Sequence, residues 1–192
     1  MAEDELLKKY NALYLEMIMR YKEDIEQGET LYVAELPRLV TPQDEAVVTA
    51  VNKIKSAFPN YNYDQNFYDA ALKAHKYVRE AVATVSPPIQ FWLKPSQVVN
   101  LGVGDIFDKA VLLCSMVIGL GNFSTKIISA IRENTKKHIV YCEFKEKLLT
   151  MDLEDGVGEV QNKDALLAQM RIERGVEMTA YEFNDRMYNN LI

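Results

Sequence analysis

The chain has no apolar run long enough to span a bilayer, no basic cluster and no cysteine framework. Its longest apolar stretch, Ala110 to Leu120, is interrupted by Ser115 and Gly119 and falls well short of the roughly 18 to 20 residues a membrane helix needs. Adjacent basic residues occur at Lys8-Lys9 and Lys136-Lys137, and the formal net charge is −6, so neither nucleic acid nor an anionic membrane surface is an expected partner. With only two cysteines, Cys114 in the apolar stretch and Cys142 in a strand-like segment, both read as small buried hydrophobes in a reducing compartment. The start, Met1-Ala2-Glu3-Asp4-Glu5, is acidic and lacks the basic and apolar parts of a secretory signal, so a soluble, cytoplasmic protein is expected. A P-loop and a dinucleotide fingerprint are also missing, since Gly102-Val103-Gly104 has neither the third glycine nor a preceding strand. No cofactor and no metal are expected.

What is present fits one domain over residues 1–192, with 48% hydrophobic and 26% charged residues. Residues 1–88 read as helical. Leu6, Tyr10, Leu13, Tyr14, Met17, Ile18, Tyr21 and Ile25 make one amphipathic stripe that Gly28 ends, expected to pack on its own domain. Thr41, Pro42, Asp44 and Glu45 suit the start of a second helix, with Val47, Val48, Val51, Ile54 and Phe58 as its buried stripe. Asp64 is placed as the cap of a third, running through Phe67, Ala71, Val78 and Val82 until Pro87-Pro88 stops it. Residues 89–160 form the core: the segment Ile89 to Ser96 with the only tryptophan, a short helical turn from Ser96 to Leu101, a helix from Asp105 to Gly119–Gly121, and strands over Ser124–Ile131, Lys137–Phe144 and Lys147–Leu153. Residues 161–192 read as helical again: Asn162 caps one helix, and Thr179-Ala180-Tyr181-Glu182 has the capping-box spacing of another. The fold class is α+β, with N-terminal helices, a core helix packed on a small antiparallel sheet, and C-terminal helices.

The chemistry-bearing residues fall in one ordered set: Gly104-Asp105-Ile106-Phe107-Asp108-Lys109-Ala110, then His138, then Asp152. This set resembles the catalytic half of the transglutaminase-like superfamily, whose papain-like cysteine enzymes run Gly-Asp-Cys-x-Asp-x-Ala into a buried helix, then carry His on one strand and Asp or Asn on the next. Phe91-Trp92 with Pro95 also resembles a tryptophan–proline segment of archaeal-type relatives. The resemblance covers about a quarter of the chain, and it breaks at the nucleophile: Ile106 stands where the thiol belongs and offers no nucleophilic atom. It therefore implies a degenerate member, a pseudoenzyme with vestigial positions Ile106, His138 and Asp152, and with Trp92, Asp105 and Cys142 as candidates to line the cleft. The role it implies is binding of a peptide or protein partner; the sequence sets no oligomeric state.

Other readings stand beside this one. Cys142 alternates with His138 and Val140 on one strand face, so it is a candidate nucleophile, and a His138–Asp152 pair is a candidate general base on water for a hydrolase or acyltransferase. Cys114, eight residues past Ile106 on the same helix, is expected in the core. His138 has a purely structural reading too, as a histidine hydrogen-bonded to a neighbour. Asp105 has one as an N-cap, and Asp108 as a first-turn partner of the helix dipole.

Overall fold

The structure, a computed structural model, describes residues 2–27, 33–86, 92–133, 135–172 and 177–192. Helices α2 (Glu45–Lys55), α3 (Tyr63–Ala81) and α4 (Pro95–Leu101) pack on the central helix α5 (Ile106–Gly119), and α1 (Ala2–Gln27) lies against α4. Two residues of β1 (Ala83–Thr84) pair in parallel with two of β2 (Val103–Gly104), just before α5. A six-stranded antiparallel sheet follows, built from β3 (Lys126–Arg132), β4 (Thr135–Phe144), β5 (Lys147–Asp152), β6 (Gly156–Val160), β7 (Thr179–Phe183) and β8 (Tyr188–Asn190). Its order is β6-β5-β4-β3-β7-β8. Among the described residues, no helix is long and apolar enough to cross a membrane.

Alternation along the strands decides the layers. Ile127, Val140, Cys142, Leu149, Met151 and Phe183 face α5, whose residues from Phe107 to Ile118 are all buried. The alternate residues Ile128, Ala130, Ile139, Tyr141 and Leu148 form a second cluster with Leu166 and Met170, under α6 (Lys163–Gln169). An all-round apolar helix is the form expected for an element enclosed on every side. Gly119 lets α2 come close, because a Cβ there would lie 3.1 Å from a Val51 methyl.

Several expectations change in detail. Asp44, not Thr41, caps α2, accepting a bond from the Ala46 amide, and Val48 points outward while Val47, Val51 and Ile54 are buried. Asn62 caps α3 in place of Asp64, which sits in its first turn. On α1, Leu13 of the stripe is buried but Leu6 and Tyr14 are exposed, so the stripe packs on the domain only in part. The largest correction is the C-terminal part. Asn162 does cap α6, but Thr179 to Phe183 is strand β7 and not a second helix. Tyr181 and Phe183 meet the α5 face while Ala180 and Glu182 meet the other, a two-residue period that pairing with β3 enforces over the local capping-box spacing. Pro87, Pro88, Ile89, Gln90, Phe91 and Gly175 lie outside the described residues.

Buried charge ties α5 to its surroundings. Asp105 and Asp108 cap the helix reciprocally: Asp105 Oδ1 accepts from the Asp108 amide at 2.8 Å, and Asp108 Oδ2 accepts from the Asp105 amide at 3.0 Å. Asp108 Oδ1 also accepts from the Leu93 amide at 2.8 Å, which fixes the strand of chain carrying Trp92. Gly104 leaves room for this carboxylate, since a Cβ there would sit 3.1 Å from the Asp108 Cβ. The Lys109 ammonium, 3% exposed, donates to the Val82 carbonyl at 2.8 Å and to Thr84 Oγ1 at 2.9 Å, closing the end of α3 and holding β1. Replacing Asp108 by Ala leaves two inward-facing amides without an acceptor and should lower the unfolding free energy by about 2–3 kcal/mol in urea titration. Asp64→Ala, at an exposed position, should cost less than about 1 kcal/mol in the same assay.

Candidate functional site

The start of α5 opens into a cleft of about 310 Å³ lined by Thr84, Val85, Ser86, Trp92, Asp105, Ile106, Phe107, Ile131, Lys136, His138, Glu154 and Tyr181. Four of the residues singled out from the sequence meet here: Trp92, Asp105, Ile106 and His138. The sequence singled out Trp92 of the aromatic wall but not Phe107 or Tyr181. The Phe107 ring lies edge-on to His138 with centroids 5.2 Å apart, and its centroid is 5.9 Å from that of Trp92 and 5.9 Å from that of Phe183.

His138 is held from behind by strand register. Tyr181 of β7, Ser129 of β3 and His138 of β4 lie directly across from one another on the α5 face. His138 Nδ1 and Ser129 Oγ share a 2.9 Å hydrogen bond, and Ser129 also bonds the Tyr181 hydroxyl. Fixing Nδ1 on a neighbour settles the ring's orientation and leaves Nε2 as its other polar atom. Burial drives the imidazole pKa down to about 4, helped by the charge of Lys136 and opposed by that of Asp152, so the ring is neutral near pH 7. Burial also raises Asp105 and, with Asp105 as a like-charged neighbour, raises Asp108 well above the usual carboxylate range.

Asp152 does not orient His138. The two-residue turn Lys145-Glu146 sets the pairing so that Asp152 lies across from Ile139, which puts its side chain on the other face of the sheet. There Asp152 Oδ2 is 3.1 Å from the Lys137 ammonium, and Oδ1 accepts from the amides of Glu154 and Asp155. Its backbone carbonyl is 2.8 Å from Nε2 of His75, so that buried histidine ties α3 to the end of β5.

Cys142 shares the face of His138 but does not reach the cleft. It is fully buried two positions beyond Val140, about 13 Å along the strand from His138. Burial pushes its thiol up to about 12, and Cys114, enclosed in α5, is raised well above the ordinary value for the same reason. Ser115 donates to the Val111 carbonyl and Thr125 to that of Asn122, so both hydroxyls are structural. Among the described residues, no three His, Cys, Asp or Glu side chains converge as metal ligands would.

A larger hollow, about 650 Å³, lies by the β4–β5 hairpin and the start of α6. Its Lys147 is paired with Glu159 and its Lys163 with Glu182, while Glu143, Glu146 and Asp64 share its rim. Cations and carboxylates there are nearly matched, and no histidine or thiol is present, so size alone recommends it. The smaller cleft carries the chemistry.

Comparison with solved structures places this arrangement among known folds. Legionella pneumophila LapG superposes with a TM-score of 0.54 at 14% sequence identity, covering 78% of this chain and 81% of that one. The calcium-bound form of Legionella pneumophila LapG gives a TM-score of 0.49, also at 14% identity, over 75% of this chain and 87% of that one. LapG has the transglutaminase-like fold, and the first likeness shows that this chain has an α+β, papain/transglutaminase-like fold. No family profile and no curated protein matches the chain.

The depressed His138 pKa has a measurable consequence. Unfolded histidine titrates near 6.5 and folded His138 near 4, so the unfolded chain takes up a proton that the folded chain refuses. The contribution to stability is complete above about pH 6.5 and is lost as pH falls toward 4, by roughly 3 kcal/mol in all. Denaturation followed across this window should show the slope in the native protein, and His138→Gln should flatten it.

Proposed function

We propose that this chain is a non-catalytic protein of transglutaminase-like fold that holds a peptide segment of a partner protein in the cleft above the start of α5. The observation that carries this reading is the hydrocarbon side chain of Ile106 at the helix N-terminus, on the same cleft wall as His138. A thiol at that point would gain from the helix dipole and from an imidazole partner, whereas isoleucine gains nothing and donates no electron pair. What remains is a hollow with an aromatic wall (Trp92, Phe107 and Tyr181), a neutral imidazole, and charges of both signs from Asp105, Lys136 and Glu154. Apolar walls with a few fixed polar groups are the usual make-up of a ligand pocket, and about 310 Å³ is at the small end of that class, suited to a side chain and its flanking backbone.

The rival reading, a hydrolase or acyltransferase using His138 and Asp152 with water or with Cys142, has less support. A base with a pKa near 4 is weakly matched to proton abstraction at neutral pH. Asp152 bonds elsewhere, and a thiol pushed up to about 12 carries a negligible thiolate fraction. Two separate buried thiols suit the reducing, cytoplasmic setting of this reading.

Selection of the purified protein against a displayed library of random hexapeptides tests the proposal. Enrichment of related sequences is expected, with binding weakened at least about tenfold by Ile106→Arg, which fills the cleft, and with the melting temperature nearly unchanged. Absence of any enriched sequence, or binding indifferent to Ile106→Arg, would count against it.

A further inference from the structure

We propose that the bound peptide enters the cleft as an added β-strand, pairing its backbone with the outer edge of β1 at Thr84. This rests on the cleft reading above and specifies the form in which the ligand is recognised. The parallel ladder between β1 and β2 uses the residues on either side of Thr84: the Ala83 amide donates to the Gly102 carbonyl at 2.9 Å, and the Val85 amide donates to the Gly104 carbonyl at 3.1 Å. Backbone groups alternate in direction along a strand, so the Thr84 N–H and C=O point away from β2. Among the described residues, neither group has a backbone partner, β1 pairs with no strand but β2, and Thr84 is exposed.

That unpaired edge forms one wall of the cleft. Thr84, Val85 and Ser86 line it together with Ile106, Phe107, Trp92, His138 and Tyr181. A segment in the extended conformation can exchange main-chain hydrogen bonds with Thr84 and place a side chain against the aromatic wall, which is the division of labour in recognition by strand addition. Lys109, buried in α5, holds Thr84 Oγ1 and the Val82 carbonyl, so the start of β1 is tied to α5 and the open edge runs from Thr84 onward. A bare strand edge is otherwise a pairing hazard that folds cover or blunt, and here it is two residues long and opens onto a hollow.

The test uses the tightest hexapeptide from display selection and a series of its analogues, each N-methylated at one residue. Strand addition demands that a single amide, or alternate amides, be indispensable: affinity should fall about tenfold or more at those positions and stay within about threefold at their neighbours. On the protein, Thr84→Pro removes the outward N–H without touching the bonds to β2 and should weaken binding to a similar degree. Thr84→Val, which keeps that N–H but gives up the Lys109 bond, should weaken it clearly less than Thr84→Pro. Uniform tolerance of N-methylation by a peptide that still needs an open cleft at Ile106 would overturn strand addition and leave the cleft reading standing. Failure of every hexapeptide to bind would overturn both. Should Thr84→Pro fail to fold, the N-methyl series alone decides.

Discussion

The reciprocal cap between Asp105 and Asp108 is the contact on which the site depends. Two carboxylates three residues apart satisfy each other's amides, and the second also takes the amide of Leu93. A helix start otherwise leaves several N–H groups without partners, which is costly in a buried element such as α5. The cap fixes where α5 begins, and so where Ile106 and Phe107 stand relative to the sheet. It also brings Trp92 against Phe107, because Leu93 is held by the same carboxylate. Burial and mutual repulsion keep the Asp108 carboxyl well above its ordinary pKa, so this pair is held in place by geometry against an electrostatic cost.

Around that cap, the helix start, an imidazole and a cleft come together. The side chain that the helix start presents to this cleft is the hydrocarbon of Ile106, which has no electron pair to donate. No carboxylate stands across from the imidazole on the neighbouring strand. One step beyond the observed pairing of Ile139 with Asp152, the residue across from His138 is Leu153, and the imidazole leans instead on Ser129 from the other neighbouring strand. A serine hydroxyl carries no charge to stabilise an imidazolium, in keeping with a ring that stays neutral. Both features support the proposal of binding over catalysis.

Much of this was legible in the chain. The α5 helix announces itself by Gly104-Asp105 and the largely apolar stretch from Ala110 onward, and β3 to β5 by their branched and aromatic content with two polar turns between them. The misreadings have physical causes. Thr179 to Glu182 has a local helix-start pattern, but its strand partner β3 lies about fifty residues earlier, and a pairing that distant leaves no mark in the local spacing. Tyr181, a wall of the cleft, was missed with it. The assignment of Asp152 failed on parity: with a two-residue turn after Phe144, an even separation from His138 puts the two on opposite faces, and counting through the turn would have shown it. Ser129 carried no signal beyond being the polar residue between Ile127 and Ile131 on a strand that faces the core.

The most direct measurement of whether α5 presents an intact but disarmed nucleophile position is the thiol pKa in Ile106→Cys, from the pH dependence of iodoacetamide modification. A thiol at this helix start beside His138 should titrate below the ordinary cysteine value of about 8.5 and react in the folded protein, while Cys114 and Cys142 stay unmodified until denaturation. A value at or above 8.5 for the introduced thiol would contradict the account.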